Sequence, residues 1–512
     1  MSTIRCISIS ILLALLGACA SLPPAPASTP SHAPADTADT RLGRAARTHR
    51  PALPSVSNFT PLARGSDALS ARLGLIEHAE RSLDLQYYIW HRDKSGMRLA
   101  QQLKSAAARG VRVRLLLDDI GTSLPDEHLL ALDAVPNVEV RLFNPVAWRF
   151  TRTLGALLDF SRINRRMHNK TMLADNQVVI LGGRNIGDEY FAARGAADFG
   201  DLDVLALGPV VQAASVAFDR YWNSAQVWPI LALTDTDDSH TEASATTRET
   251  LPENSTDDAE LIRSLLGSKA NFFEASATLL VDDPSKITRS PEDTNGHLWP
   301  QLLPVITATQ QELLLISPYF VPGKPGMDFL RELRSRGVAI TVLTNSLAAT
   351  DVSAVHAGYS RYRKELLEAG IALWEVKPGS APDTAAAASE RETRSQPLIG
   401  DSLRSSLHAK TFIFDKRELF IGSLNLDPRS TALNTETGVL IPNADFAERM
   451  SRNIRKLLPA SAYRLSLHEG QVRWHEELPD SGTRDFDHDP KSSALRRIWV
   501  NLLGLLPIEE QL

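Results

Sequence analysis

Cysteine is nearly absent: of 512 residues only Cys6 and Cys19 are cysteines. Both lie in the first twenty, so no disulfide framework holds the chain together. Positive charge is not in excess either. Fifty-five Lys and Arg against 61 Asp and Glu leave a net charge of −6, which argues against nucleic acid as a general partner. The apolar stretch at the start, residues 6–18 (CISISILLALLGA), falls short of the about 20 residues that span a bilayer core. There is no H-x-x-x-H and no clustered Cys/His spacing, so no metal site is expected. What is present is the composition of a globular protein, 43% apolar and 23% charged. Its length suffices for two ordinary domains.

The first residues read as an address. One basic residue, Arg5, precedes the apolar stretch, as in a secretory signal peptide over residues 1–18. The stretch ends in Leu16-Gly17-Ala18-Cys19, which resembles the bacterial lipobox and implies lipidation of Cys19. The alternative is an ordinary signal peptide cut nearby. A lipid there would anchor the chain without spanning the membrane. By resemblance to Gram-negative lipoproteins, Ala20 in place of an aspartate tilts the expectation from the inner towards the outer membrane. Residues 19–60 carry that cysteine and a Pro/Ala/Ser/Thr-rich stretch, too poor in large apolar residues to fold by itself.

The body repeats itself. Residues 82–90 (SLDLQYYIW), 95–109 and 111–118 (VRVRLLLD) read as strand, helix and strand. Residues 312–320 (ELLLISPYF), 326–336 and 338–344 (VAITVLT) repeat the order. Apolar runs of strand length alternating with helical patterns predict an α/β fold, with a mostly parallel β-sheet flanked by helices in each half. The halves fall at 61–233 and 261–459. An acidic linker, 234–260, separates them, and a tail, 460–512, is expected to pack back on the body.

The chemistry sits in a motif that occurs twice. Residues 167–185 read MHNKTMLADNQVVILGGRN, and residues 407–425 read LHAKTFIFDKRELFIGSLN. Both follow H-x-K-x4-D-x6-G-[GS]-x-N. A chance H-x-K-x4-D is expected about 0.02 times in a chain of this composition, so two full copies are not accidental. Each motif reads as a hairpin, with His and Lys two apart on one face of the leading strand. That gives His168 and Lys170 in one copy and His408 and Lys410 in the other. Asp175 and Asp415 belong to the same catalytic motif but fall at the turn, where a structural role is expected. Brought together, the two faces offer a phosphodiester two imidazoles, two ammoniums and the amides of Asn185 and Asn425. Lys and Asn can hold the non-bridging oxygens. One imidazole can attack phosphorus while the other protonates the leaving oxygen. No cofactor is needed.

With these residues the chain resembles the phospholipase D superfamily, and within it the bacterial cardiolipin synthase branch of C-type layout. The likeness includes the segments GGRNIGDEYF (182–191) and LLPIEEQL (505–512). It implies two pseudo-two-fold lobes with the active site at their seam, and a ping-pong route through a phosphohistidine. It would make His168 the nucleophile and His408 the general acid, a choice that the symmetric sequence leaves open. The family pattern also implies an acid after each motif that orients a histidine: Asp201 (DLDVLAL) answers Glu436 (ETGVLIP).

The implied reaction moves a phosphatidyl group to phosphatidylglycerol, from a second phosphatidylglycerol or from phosphatidylethanolamine. The partners are then membrane phospholipids, and the place is a membrane facing the periplasm of a Gram-negative envelope. Hydrolysis to phosphatidic acid is the alternative; a nuclease, or a non-catalytic lipid-binding lipoprotein, ranks below it.

Weaker features are Arg162, Arg165 and Arg166, which could meet anionic head groups or simply be salt-bridged. Tyr87, Tyr88 and Tyr319 are read as core, and residues 148–160 as a buried helix ahead of a lipid entrance. A late amphipathic run, residues 495–506, is read as a helix packing on the body.

Overall fold

The computed structural model describes residues 29–149, 159–191, 199–234, 272–379, 406–478 and 482–506, with a few isolated positions between them. The leader, Cys19, the linker at 235–260 and most of the closing segment lie outside the described residues.

Two large sheets form the body, one for each half. At the middle of the first, Ser82–Tyr87, Arg112–Asp118 and Val138–Phe143 run parallel. The second repeats this trio with Glu312–Ile316, Ala339–Asn345 and Ala372–Val376. Beside each trio lies the hairpin of the repeated motif, Thr171–Ala174 with Val178–Gly182 and Lys410–Phe414 with Glu418–Gly422. It joins the first strand of its trio antiparallel. The next strand outward, Asp203–Leu207 or Thr437–Pro442, is again antiparallel. The sheets are therefore mixed rather than mostly parallel. A buried apolar run looks the same in either orientation, so the pattern could fix strand existence but not strand direction.

The expected strands and helices are present within a few residues. Lys94–Ala108 is the crossover helix of the first half and Gly323–Ser335 that of the second. Each packs an apolar face, through Leu99 and Leu103 or Met327, Leu330 and Leu333, onto its sheet. Both motif turns are two-residue turns with positive φ: Asp175 and Asn176 at 51° each, Asp415 at 51° and Lys416 at 56°. This matches the right-handed twist of the flanking strands.

Two boundaries differ from expectation. Residues 29–60 are not merely a tether. Arg41–Thr48 forms a helix capped by the Thr40 side chain, with Leu42 fully buried. Ser57–Leu62 is a strand of the first sheet. Polar contacts hold the stretch between Ser31 and Ala33: their amides donate to Asn223 and Asp219, and Arg114 donates to the Ser31 carbonyl. Composition counts apolar residues and misses such contacts. Across the seam, Phe273–Ala275 pairs with the first sheet while Thr278–Val281 joins the second, so the halves change over within three residues. The tail adds three strands to the second sheet and then the helix Ala494–Leu503. Among the described residues no helix is long and apolar enough to cross a membrane.

Candidate active site

Each motif enters its hairpin by pairing with the opposite half. Residues Ser406–Leu407 run beside Phe199–Gly200, and the His408 amide donates to the Gly200 carbonyl at 2.7 Å. Met167 likewise bridges Thr435, and the His168 amide donates to the Thr435 carbonyl at 2.8 Å. These contacts cross the acids over. His168 Nδ1 lies 2.9 Å from Glu436 Oε2, and His408 Nδ1 lies 2.6 Å from Asp201 Oδ2. Each imidazole is therefore held by a carboxylate of the other half. With Nδ1 engaged by a carboxylate, chemistry at either ring would fall to Nε2.

The lysines lie in the same space. Lys170 Nζ donates to the His168 carbonyl at 2.5 Å, and Lys410 Nζ lies 3.0 and 3.2 Å from the two ring nitrogens of His408. Burial, then the charges of Lys170, Lys410 and His408, hold His168 well below its usual pKa. Cations of both halves thus act on one ring, in keeping with the crossed contacts that bring the two motifs together. Burial lowers Lys170 strongly, and Lys410 to about 8. Both lysines are lowered even with Asp201 and Glu436 close by, so two buried cations here make a site that a bound anion would relieve.

The two acids differ. Burial raises Asp201, but His408, Lys410 and Arg184 outweigh it and hold it at about 2. Burial, with Asp282 adding to it, drives Glu436 well above the usual carboxylate range despite Lys170 and Ser423.

Asp175 and Asp415 touch neither imidazole. Asp175 accepts the amides of Glu80, Arg81 and Ser82; Asp415 accepts those of Gln310, Gln311 and Glu312. Each ties its hairpin turn to the start of the neighbouring strand, the structural role expected at the turn. Asn185 is engaged, accepting the Ile89 amide and donating to the Tyr190 hydroxyl at 3.0 Å. Asn425 is also buried, and its Oδ1 has no hydrogen-bond partner. Glycine is required after each hairpin. A Cβ on Gly182 would lie 2.5 Å from Asp203 Cα, and one on Gly422 would lie 2.6 Å from Gly438 Cα. A Cβ on Gly183 would lie 2.1 Å from Asp201 Oδ1.

Of the three arginines ahead of His168, Arg166 is buried against Asp118 at 2.8 Å, and Arg162 pairs with Asp159 at 2.6 Å. Arg165 donates to the Arg289 carbonyl. Of the three side chains, that of Arg165 reaches across the seam, while the other two pair within the first half. Tyr87 is core beside Arg72, but Tyr88 is a site residue, its ring edge-on to His168 at 5.1 Å. Tyr190 stands likewise to His408 at 5.3 Å. Tyr319 donates to Asp351 at 2.8 Å.

Sequence reasoning missed Tyr190, although it lies in the quoted GGRNIGDEYF. It also missed two positioning groups. Arg184 donates to the carbonyls of Asp201, Leu62 and Ala63. Asp282, paired with Lys286 at 3.0 Å, accepts the Glu436 amide at 2.7 Å. Nothing in the spacing marked Asp282. Among the described residues no group of three or more His, Cys, Asp or Glu is placed to hold a metal ion.

Similarity to known proteins gives the family. The family model described as "Cardiolipin synthase, PLD-like domain" matches residues 73–222 and 302–458, one stretch in each half. The chain is 40% identical over 470 residues to Cardiolipin synthase C of Escherichia coli, covering 89% of this chain and 96% of that protein. It is 27% identical to Cardiolipin synthase A of Pseudomonas fluorescens, covering 75% of this chain and 65% of the relative. The fold is shared with phosphatidylserine synthase of Haemophilus influenzae, at 11% identity and a TM-score of 0.57, over 92% of this chain and all of that one. The chain belongs to the cardiolipin synthase family of the phospholipase D superfamily.

Proposed function

We propose that the chain is a phosphatidyltransferase that makes cardiolipin at a bacterial membrane. The observation that carries the reading is the crossed pair of imidazole–carboxylate contacts with a lysine on each histidine. The relatives named for cardiolipin synthesis support the same substrate class.

In the first step His168 Nε2 attacks the phosphorus of a phospholipid. The bond from phosphorus to the head-group oxygen breaks, and His408 gives that oxygen its proton. In the second step the hydroxyl of phosphatidylglycerol gives its proton to His408 and attacks phosphorus. The P–N bond breaks, cardiolipin leaves, and both imidazoles return to their starting states. The electrostatic difference between the acids supports this assignment. His168 faces a carboxyl that burial disfavours as an anion, which keeps the ring unprotonated and nucleophilic. Burial and Lys410 lower His408 as well, but it faces an ionised Asp201, which offsets part of that and favours the imidazolium it must carry as the acid. Lys170 and Lys410 bear on the non-bridging oxygens, where charge grows in the transition state. A lipid on Cys19 would confine this site to the membrane surface.

The test is a lipid profile from a bacterium stripped of its own cardiolipin synthases. The intact chain is expected to restore cardiolipin, and His168→Ala to abolish it; released labelled glycerol or ethanolamine then names the donor. Phosphatidic acid in place of cardiolipin would mean that water resolves the intermediate and would sink the synthase reading.

A further inference from the structure

The helix Ala494–Leu503 packs on the body by only part of its surface. Val500 is buried with Leu347 and Ala357, and Leu503 packs against them. Leu495, Ile498, Trp499 and Leu502, spaced i, i+3, i+4 and i+7, form one stripe. They are exposed by 79%, 56%, 56% and 53%, and Leu505 and Leu506 continue the patch beyond the helix end. Single exposed leucines are ordinary on a surface, but a contiguous apolar face on one helix is not.

Two observations say what covers it. The first is charge: residues 491–506 (KSSALRRIWVNLLGLL) carry Lys491, Arg496 and Arg497 and no acid. An apolar stripe with basic flanks and a tryptophan has the chemistry of a helix lying in a bilayer interface bearing anionic head groups.

The second is attachment to the site. Arg496 donates to the Thr350 carbonyl at 2.9 Å. The next residue, Asp351, accepts from Tyr319 and acts electrostatically on Lys410. Leu347, under the helix, lies two residues from Asn345, whose side chain exchanges two 2.9 Å hydrogen bonds with Leu407, the neighbour of His408. The apolar face is thus held in register with the catalytic histidine. On the other half, the loop after the equivalent strand end exposes Ile120.

We infer that the helix Ala494–Leu503 is a membrane-docking element, seating its Leu495, Ile498, Trp499 and Leu502 face in an anionic phospholipid surface so that the mouth of the active site meets the bilayer. This rests on the proposed lipid substrate.

The experiment uses the full chain and the triple variant Leu495→Ser/Trp499→Ser/Leu502→Ser. All three side chains project into solvent, so folding should be unchanged, which the thermal midpoint checks. Hydrogen–deuterium exchange is followed with and without vesicles of phosphatidylglycerol and phosphatidylcholine. The readout is local, so a lipid on Cys19 cannot imitate it. Peptides over residues 494–506 of the unaltered chain should slow several-fold with vesicles, and the variant's should not.

In parallel, the variant should lose about tenfold or more of its turnover on vesicles. It should stay within twofold on monomeric dihexanoyl phosphatidylglycerol. Unchanged exchange together with unchanged vesicle turnover would overturn the inference. So would an equal loss on both substrates, which would make the helix a support of the fold, or self-association through this face without lipid. If the unaltered chain turns over neither substrate, the activity reading fails while the exchange result still decides docking.

Discussion

The two halves share a backbone plan but not its side-chain chemistry. At the strand end beside the motif, the first half uses a buried Asp118–Arg166 ion pair that also accepts the Met167 amide. The second places the neutral Asn345 there, bonded to both polar atoms of the Leu407 backbone. After the hairpin the first half has Gly183, leaving room for Asp201, where the second has Ser423, whose hydroxyl donates to Glu436. Behind the acids stand Arg184 in the first half and the Asp282–Lys286 pair in the second. Duplication thus retained the geometry while the surroundings of the acids diverged. A symmetric site would give two equivalent imidazoles; transfer through one of them needs a nucleophile and an acid.

The largest effects test whether the histidines have separate tasks. His168→Ala and His408→Ala should each cost about 10³-fold or more in turnover. With a substrate carrying a good leaving group, His408→Ala should still accumulate labelled phosphohistidine in a rapid quench, and His168→Ala should give none. Label trapped on the wrong variant reverses the roles.

Next come the acids. Asp201→Asn removes the charge that stabilises the His408 imidazolium and should cost about 10²-fold in kcat. Glu436→Gln, replacing a carboxyl already disfavoured as an anion, should cost clearly less. Equal losses would mean that the electrostatic difference has no catalytic consequence.

The motif aspartates sharpen the comparison through stability. Asp175 is fully buried on three amides, and Asp175→Ala should cost about 3 kcal/mol in urea unfolding. Asp415 is partly exposed, so solvent screens its contacts and Asp415→Ala should cost about 1 kcal/mol.

The smallest effect is a displaced limb in the pH profile. Lys410 loses its proton near pH 8, so kcat/KM should fall as pH rises through that value. Lys410→Arg, which stays protonated, should move that limb upward. A limb that stays in place in this variant belongs to another group.

Much of the site could be read before folding. The paired motif, the hairpin and the structural role of its aspartates follow from spacing, because a two-residue period and a turn are local properties. Asp201 and Glu436 follow from the family likeness together with their shared register, which does not reveal the crossing that gives each to the other half's histidine. That crossing depends on Gly200 and Thr435 pairing with Leu407 and Met167, more than 200 residues away in sequence. Strand direction, the ordered stretch before residue 60 and the brace at Asp282 also depend on distant partners. Tyr88 reads as core because an aromatic strand end looks the same from sequence on either side of a sheet.

The crossed acids also bear on when the protein can act. A chain with one half folded has a histidine without its carboxylate and a carboxylate without its histidine. The site is completed only when the halves dock, through pairings between residues more than 200 apart in sequence, whose closure carries a loop-entropy cost. Catalytic competence therefore requires that both halves be in place, because each supplies the carboxylate for the other's histidine.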